Sequence, residues 1–400
     1  MIIIIFRGAP SSLQICLSAW KKKMSKEIFI FGTGASRAGN SSIPLGHELG
    51  WCRLSGHIVG MDAEDGAIQI YNSFVNIIKR YYPQYESMLP VHDEIENNSD
   101  PTPYFGKDNN KRYISDLAKA ISGELSFDKL LGNCKIQDDA AALSVIKRII
   151  HEHLLSASLI ANDHKPYEEF KKWIALKNPD DVTLISFNYD CLLNDLTRKY
   201  PVSFDYAIDF DYIDPVIQYN KNISKNVKRF KLLKPHGSLD WQVCVKCRKL
   251  HQKPWVKWDD FNNIKCTLDG CDGLLQSFIF MPHVDYPKEN KTFELIDSAV
   301  GKSLREAVKL TVIGYSFPPY DNHMIDKIKN MKKLQNIEVV DFERQVDFER
   351  QNDRIQQTTR RICDEYNDKM LSGMSIKPKL KVSLNGFEDW IDSKVSQDIA

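Results

Sequence analysis

Short apolar segments that end in glycine or in a polar cluster recur along this chain, and they constrain its fold more than any other feature. The first, residues 27–31, reads Glu-Ile-Phe-Ile-Phe and is followed at once by glycine. Similar segments lie at residues 182–187, 310–314 and 337–341, with a weaker one at 380–384. Such runs are typical of strands buried in a parallel sheet. Because segments of helical periodicity lie between them, the sequence predicts an α/β fold with a Rossmann-like, doubly wound parallel sheet.

The spacing of these strands divides the chain into regions. The first two strands are about 150 residues apart, far more than one crossover helix needs. Residues 64–180 are therefore predicted to form an inserted helical layer, with apolar residues at helical spacing at 67–82, 113–131, 138–161 and 167–175. The polar segment 92–111 is predicted to be a loop, either a lid or a surface connection.

Residues 1–24 are interpreted as an N-terminal extension. Residues 1–6 are apolar and the basic residues 21–23 follow them, which reverses the order found in a signal peptide. Met24 directly precedes the first strand and suits a start; an oligomerisation arm is the alternative. The sheet domain is then expected to comprise residues 25–63, 181–243 and 274–345, and residues 346–400 a helical and strand-containing tail.

The composition excludes several classes of protein. Basic residues number 54 and acidic residues 53, so no overall charge would draw the chain to nucleic acid or to an anionic membrane. No segment reaches the roughly 20 apolar residues of a membrane span. The nine cysteines, an odd number with one cluster, indicate a reducing compartment rather than a disulfide framework. We therefore expect a cytoplasmic protein without membrane association or direct nucleic-acid binding.

Four of the cysteines form a metal-binding pattern. Two residues separate Cys244 from Cys247, four separate Cys266 from Cys271, and eighteen lie between the pairs. Four thiolates in two close pairs are typical of a tetrahedral structural zinc site. Residues 244–273 are thus predicted to be a small zinc-ribbon-like module with a closed Zn²⁺ site.

A glycine-rich loop follows the first predicted strand, at the edge where open α/β sheets bind ligands. It consists of Gly32, Thr33, Gly34, Ala35 and Ser36. Glycine lets the backbone approach a pyrophosphate closely, and free backbone N–H groups bind phosphates. The third glycine of the dinucleotide fingerprint is not in place, so a structural tight turn is nearly as good an explanation.

Three polar residues farther along the chain are candidate catalytic residues. Asn188 and Asp190 stand at alternate positions after the second strand and can enter one pocket, although both residue types are also good helix N-caps. His236 lies in a Lys-Pro-His-Gly segment. An imidazole suits general-base work near neutral pH, but a lone histidine is more often structural.

Two further strands end in candidate nucleotide contacts. Gly314 and Ser316 follow the strand at 310–314 and suit contact with a second part of a nucleotide. Asp341 ends the next strand, where an acidic residue can accept a hydrogen bond from a ribose hydroxyl. Ordinary loop chemistry after a strand is the alternative for all three.

Taken in order, these motifs resemble the sirtuin superfamily over residues 25–60 and 180–345. The resemblance is closest to the bacterial sirtuin-like NAD-hydrolysing domains of antiphage defence. It implies that the glycine loop wraps NAD and that Asn188 and Asp190 hold the nicotinamide ribose, its water and the carboxamide. It also implies that His236 is the catalytic histidine and that Gly314 and Ser316 contact the nucleotide.

The chain departs from protein-deacylating sirtuins at two places. Deacylases continue the glycine loop with Ile-Pro-Asp-Phe-Arg, whereas residues 43–46 read Ile-Pro-Leu-Gly. Deacylases also carry a Phe-Gly-Glu strand that pairs with substrate peptide, whereas residues 278–283 read Phe-Ile-Phe-Met-Pro-His, with a proline that spoils strand addition. Both departures argue against a peptide cleft. The cysteine cluster argues for one, because many defence-type relatives lack it.

The resemblance therefore implies an NAD⁺ glycohydrolase that releases nicotinamide and ADP-ribose as a regulated effector of antiphage defence. Its implied partners are further copies of the chain, a second defence subunit such as an NTPase or nucleotide sensor, or both. An NAD-dependent protein deacylase and a non-catalytic sensor of NAD or ADP-ribose remain as alternatives.

Overall fold

A computed structural model of the chain describes eight continuous segments and a few scattered residues between 76 and 154. The segments are residues 26–39, 165–194, 202–222, 227–253, 264–279, 291–318, 321–342 and 351–399. The predicted N-terminal extension, most of the predicted inserted layer and the loop predicted at 92–111 lie outside the described residues. Among the helices that are described, none has the length and apolarity that a membrane span requires.

The described segments contain the following elements. The strands are β1 (Glu27–Phe31), β2 (Val182–Ser186), β3 (Val202–Asp205), β4 (Tyr212–Ile213), β5 (Lys228–Leu233), β6 (Gly237–Cys244), β7 (Leu250–Gln252), β8 (Leu275–Ile279), β9 (Lys309–Ile313), β10 (Asn336–Val340) and β11 (Lys379–Ser383). The helices are α1 (Thr33–Gly39), α2 (Lys165–Ile174), α3 (Pro215–Asn222), α4 (Lys291–Glu306), α5 (Asn322–Lys329), α6 (Gln351–Lys369) and α7 (Gly386–Ile399).

The main sheet has seven strands in the order β11-β10-β9-β1-β2-β5-β3, and every neighbouring pair is parallel. From β1 the chain adds strands on one side as far as β3. It then returns to the other side of β1 to add β9, β10 and β11. This confirms the predicted doubly wound parallel sheet. Winding reverses between β1 and β9, which is where such sheets form a ligand crevice.

Strand β1 is covered on both faces, which explains its unbroken apolar sequence. Phe29 and Phe31 lie 5.3 Å and 5.1 Å from the ring of Phe170 on α2, in edge-to-face geometry. Alternation along the strand turns Ile28 and Ile30 to the opposite face, and both are also buried. A strand buried on both faces has no place for polar residues.

Two segments that the sequence analysis placed outside the sheet domain pack within it. Helix α2, from the range 64–180, packs against α7, from the range 346–400, with the rings of Trp173 and Trp390 5.8 Å apart. Strand β11, also from the tail, forms an edge of the main sheet. The sheet unit is therefore larger than residues 25–63, 181–243 and 274–345, because its outer strand and one covering layer come from those flanking ranges.

A buried carboxylate joins the edge of the sheet to the last helix. Glu338 on β10 accepts hydrogen bonds from Lys381 on β11 at 3.0 Å and from Trp390 Nε1 and Lys394 on α7, each at 3.1 Å. Burial alone would raise the pKa of Glu338, but these hydrogen bonds and the charge of Lys394 outweigh burial and lower the pKa from 4.5 to about 2.

We expect Glu338→Gln to lower the free energy of unfolding at neutral pH by about 2 kcal/mol, because Lys381 and Lys394 lose their buried counter-charge. The pKa of Glu338 is lower in the folded chain than in the unfolded one. Its contribution is therefore present above 4.5 and is lost as the pH falls toward about 2. Urea unfolding as a function of pH should show the two proteins converging in acid. The exposed Asp389→Asn on α7 is the control, and a difference that does not depend on pH would contradict this account.

Candidate active site at the carboxyl ends of the strands

The loops that follow β1 and β9 pack backbone against backbone. Gly34 N–H donates to the Gly314 carbonyl oxygen at 2.9 Å, and Gly32 N–H donates to the Ile313 carbonyl oxygen at 3.0 Å. A Cβ atom on Gly32 would lie 2.5 Å from the Gly314 oxygen, and one on Gly34 would lie 2.8 Å from the Gly314 Cα. Gly314 has a φ of 57°, a conformation that favours glycine. Loop packing thus requires these glycines, and the pyrophosphate contact stays a prediction.

Asn188 is anchored to the glycine loop by its amide nitrogen. Nδ2 donates to the Gly32 carbonyl oxygen at 2.8 Å and to Ser36 Oγ at 2.6 Å. The Gly32 carbonyl can only accept a hydrogen bond, so the amide nitrogen must be the end that faces it. The orientation of the side chain is therefore fixed.

The other end of that amide is a buried acceptor without a protein partner. Asn188 is only 3% exposed, and its Oδ1 atom accepts no hydrogen bond. An unsatisfied buried polar atom costs roughly 1–3 kcal/mol, and it marks a place where a water molecule or a ligand donor completes the structure.

Asp190 is held by the same loop. Ser36 Oγ donates to Asp190 Oδ2 at 2.7 Å, and Leu192 N–H donates to Oδ1 at 3.0 Å. Tyr167 OH lies 3.3 Å from Ser36 Oγ, and burial together with the charge of Asp190 raises the pKa of Tyr167 well above its usual value. The structure thus brings Ser36, Asn188 and Asp190 together, with the carboxylate already bound by protein donors.

His236 lies beside this cluster, with both ring nitrogens in contact with acceptors. Nδ1 is 3.2 Å from the carbonyl oxygen of Phe187, the residue before Asn188, and Nε2 is 3.1 Å from Asp321 Oδ1. Gly237 follows with a φ of 78°, and a Cβ atom there would lie 2.2 Å from the Phe278 carbonyl oxygen. The backbone therefore requires glycine directly after the histidine.

Aromatic rings enclose His236. The Phe187 ring stacks on the Tyr315 ring at 4.4 Å and meets the His236 ring edge-on at 5.1 Å. The Tyr189 ring lies 5.9 Å from the imidazole. His236 and Asp321 are 4% and 1% exposed, so their pairing is shielded from water and is stronger than it would be at the surface.

Asp321, which directly precedes α5, was not among the predicted site residues. Its Oδ2 atom accepts a hydrogen bond from Tyr315 OH. Burial alone would raise the pKa of Asp321, but the charge and hydrogen bond of His236 and the hydrogen bond from Tyr315 outweigh burial and hold the pKa below its usual value. The available signal was its position, because it follows the Gly-Tyr-Ser-Phe motif at a strand end.

The remaining residues predicted to contact the nucleotide differ in their exposure and in their place in the fold. Thr33 begins α1 and Ala35 is buried, whereas Ser316 and Asp341 are exposed. The Asp341 carboxylate accepts a hydrogen bond from Phe342 N–H at 2.8 Å. Asp341 follows β10, whereas Asn188 follows β2. These two strands are separated in the sheet by β9 and β1, so Asp341 lies well away from Asn188.

A second buried polar network lies beneath the site. Lys234 Nζ donates to the Asp190 carbonyl oxygen at 2.6 Å and to Asn194 Oδ1 at 3.2 Å. Asp240 on β6 accepts hydrogen bonds from Gln252 Nε2 at 2.9 Å and from Ser238. Buried hydrogen bonds therefore stabilise the backbone segments that contain Asp190 and His236.

The four predicted metal ligands converge, and their sulfur atoms all lie within 4.8 Å of one another. Cys244 Sγ is 3.6 Å from Cys271 Sγ, and Cys247 Sγ is 3.8 Å from Cys266 Sγ. Thiolates around a tetrahedral Zn²⁺ at about 2.3 Å would be about 3.8 Å apart, so the cluster could hold zinc. His251 Nε2 lies 3.4 Å from Cys266 Sγ, as a group that supports a ligand would.

The cysteine module extends beyond residues 244–273. A second sheet has the strand order β4-β7-β6-β8. Cys244 is the last residue of β6, and the other three cysteines lie in the segments between the strands of this sheet. Strand β6 pairs antiparallel with both β7 and β8. It begins at the residue after His236 and ends at Cys244, so one strand connects the histidine to the metal cluster.

Comparison with known proteins places solved Sir2 structures among the similar folds. A mutant Sir2 homologue in complex with 2′-O-acetyl-ADP-ribose is 14% identical, with 96% of this chain and 95% of that chain covered and a TM-score of 0.39. A Sir2 structure with the inhibitor EX-527, 2′-O-acetyl-ADP-ribose and a deacetylated p53 peptide is 10% identical, with coverage of 96% and 98% and a TM-score of 0.38. A Sir2 homologue–NAD complex is 12% identical, with coverage of 64% and 74% and a TM-score of 0.35.

No protein-family model matches the sequence, and no curated protein matches it. The fold assignment accordingly rests on the strand order and registers given above.

Proposed function

We propose that this protein is an NAD⁺ glycohydrolase of the sirtuin superfamily, which cleaves the nicotinamide–ribose bond to give nicotinamide and ADP-ribose. The observation that carries the proposal is the buried, unpartnered Oδ1 atom of Asn188 beside His236. A water molecule or a ribose hydroxyl is a donor that would satisfy this acceptor. The order of motifs that resembles sirtuins supplies the identity of the nucleotide.

The chemistry requires few groups. When the bond between ribose C1′ and the pyridinium nitrogen breaks, its electron pair neutralises the ring, so nicotinamide leaves without an acid to protonate it. Ordinary glycosidases need two carboxylates for that work. Water adds to C1′ and one proton is released. Asn188 Oδ1 would orient the ribose and the water, while His236 would accept the proton from a ribose hydroxyl that relays it.

The carboxylate of Asp190 fits a supporting part in this scheme. Both of its oxygen atoms already accept hydrogen bonds from the protein. It would hold Ser36 against the Asn188 amide and thereby keep Oδ1 directed at the substrate. Zinc at the four cysteines would stabilise the fold and take no part in the reaction.

One observation favours protein deacylation as a second candidate. The cysteine geometry fits a structural zinc site, and many defence-type relatives lack such a site. The changed residues 43–46 and 278–283 argue for water as the acceptor in place of acyl-lysine. We give these departures more weight, because a structural metal does not choose the substrate.

We extend the proposal to a regulated, cytoplasmic effector of antiphage defence. Unrestrained hydrolysis would deplete the NAD of the host cell, so activity would depend on assembly with further copies of the chain or with a second subunit. The sequence resemblance alone supports this part of the proposal.

The test follows NAD consumption and nicotinamide release over time by chromatography. The full chain would be expressed alone and together with its genomic neighbours, with candidate triggers added. We expect stoichiometric nicotinamide and ADP-ribose in at least one assembly state. A parallel reaction with an acyl-lysine peptide separates the candidates, because O-acyl-ADP-ribose would identify a deacylase. Binding of NAD without turnover in every state would instead identify a sensor.

A further inference from the structure

The ring of His236 is held at both nitrogens by acceptors of unequal strength. Nδ1 faces the neutral Phe187 carbonyl oxygen at 3.2 Å, and Nε2 faces the Asp321 carboxylate at 3.1 Å. A neutral imidazole has a single N–H and can donate to one of them, whereas an imidazolium donates to both. A hydrogen bond to a carboxylate is charge-assisted and is the stronger of the two. The proton of the neutral ring therefore belongs on Nε2.

Asp321 is itself fixed in place for this contact. Tyr315 OH donates to its Oδ2 atom, which leaves Oδ1 for the histidine. The backbone N–H of Asp321 donates to the Pro318 carbonyl oxygen at 2.9 Å, which fixes the backbone of Asp321 against the segment that follows β9. The stacking of Tyr315 on Phe187 connects this loop to the strand end that carries Asn188.

We propose that Asp321 is a positioning residue for His236, which keeps the N–H on Nε2, leaves Nδ1 as the base and supplies the counter-charge of the imidazolium. The inference rests on the proposed function. With substrate bound, a ribose hydroxyl donates to Nδ1 in place of the Phe187 carbonyl contact; its proton passes to Nδ1 as it takes a proton from the water that adds to C1′, so the hydroxyl is restored and the ring gains one N–H. The positive charge that results lies against the Asp321 carboxylate, which does not itself take the proton.

Other titratable groups also face this ring. The Tyr189 ring lies 5.9 Å from it, and His323 on α5 is close enough to Asp321 and His236 for both to affect the pKa of His323. Burial lowers the pKa of His323, and the charge of Asp321 opposes that effect. Among the described residues, Asp321 is the carboxylate within hydrogen-bonding distance of His236. Removing its charge should therefore change the protonation of His236 directly.

The test compares Asp321→Asn with Asp326→Asn, an exposed carboxylate on α5, the helix that directly follows Asp321. We expect Asp321→Asn to lower kcat by about 10²–10⁴-fold, with KM for NAD within a few-fold of the wild-type value. The acidic limb of the kcat/KM pH profile should move to lower pH, because the imidazolium loses its counter-charge. Asp326→Asn should leave both unchanged, and Asp321→Glu should restore part of kcat.

A second measurement does not depend on NAD turnover. An NMR titration of the His236 ring, assigned with His236→Gln, should show a lower midpoint in Asp321→Asn and an unchanged one in Asp326→Asn. If the wild-type protein releases no nicotinamide, the proposed function fails, yet the titration still tests the pairing. Should Asp321→Asn not fold, Tyr315→Phe removes the hydrogen bond to Oδ2 and is expected to lower kcat several-fold. A variant that folds with unchanged kcat, or with an unmoved pH limb and midpoint, would overturn the inference.

Discussion

Asn188→Ala should abolish NAD turnover, with kcat/KM lowered by about 10³-fold. The substitution removes the only side-chain atom of the described cluster that is buried, oriented and still lacks a partner. It also leaves the Gly32 carbonyl oxygen and Ser36 Oγ without the donor that now joins them. The loss should be measured as nicotinamide release under the conditions that activate the wild-type protein.

Two companion variants sharpen this result. Asn188→Asp keeps the shape of the side chain but sets a second acceptor against the Gly32 carbonyl, so it should also be inactive. His236→Ala should lose activity to a similar degree, because the base is gone. Asn336→Ala, at an exposed position at the start of β10, is the matched control. Near-wild-type NAD consumption by a folded Asn188→Ala or His236→Ala protein would refute the site assignment.

Removal of the metal should unfold the cysteine module and should not selectively stop the chemistry. Structural zinc sites contribute on the order of 10 kcal/mol in small zinc-binding peptides, and the four sulfur atoms here are already gathered within 4.8 Å. Cys266→Ser, or treatment with a strong chelator, should lower the melting temperature by many degrees. NAD binding and turnover should fall together, because both depend on the same fold.

Metal analysis, thermal melting and NAD binding together test this expectation. The purified protein should contain one zinc per chain, and Cys363→Ser, on α6 and outside the cluster, should retain it. Zinc binds cysteines as thiolates and its binding releases their protons, so zinc uptake should weaken as the pH falls. A metal-free protein with an unchanged melting temperature and no turnover would contradict the structural assignment.

Four of the five strands predicted from the sequence are buried on both faces, whereas the weaker one at 380–384 is the half-exposed edge strand β11. Segments 27–31 and 182–187 contain almost no charged residues, and the structure confirms them as the central strands β1 and β2. Strands β3 and β5 were missed. Three of the first four residues of β5 are charged, and only Phe230 among these four is buried. A hydrophobic pattern predicts a strand only where burial is uniform along it, and the burial of β5 changes from its first half to its second.

The candidate site was predictable wherever a motif directly follows a strand. Ser36, Asn188 and Asp190 were predicted and do meet at one cluster. Asp321 was not predicted, because its importance arises from a contact with a residue 85 positions away. The glycines were predicted for a ligand contact, whereas the structure supplies a packing reason for them. Spacing within a motif cannot distinguish a backbone that approaches a phosphate from one that approaches another loop.

The eight-residue strand β6 has a further consequence for experiments on this protein. Gly237 pairs with Ile279 and Cys244 with Leu275, and the register shifts between Gly237 and Gln242, so at about 3.3 Å per residue of β8 the two ends of β6 lie roughly 13 Å apart. A metal ion at the cysteines would therefore touch none of the reacting atoms at the proposed site, although the strand connects the two sites mechanically. Tetrahedral cobalt(II) in place of zinc would absorb visible light at one end of that strand. The colour would report the integrity of the scaffold in real time during assays of the proposed nucleotide chemistry at the other end.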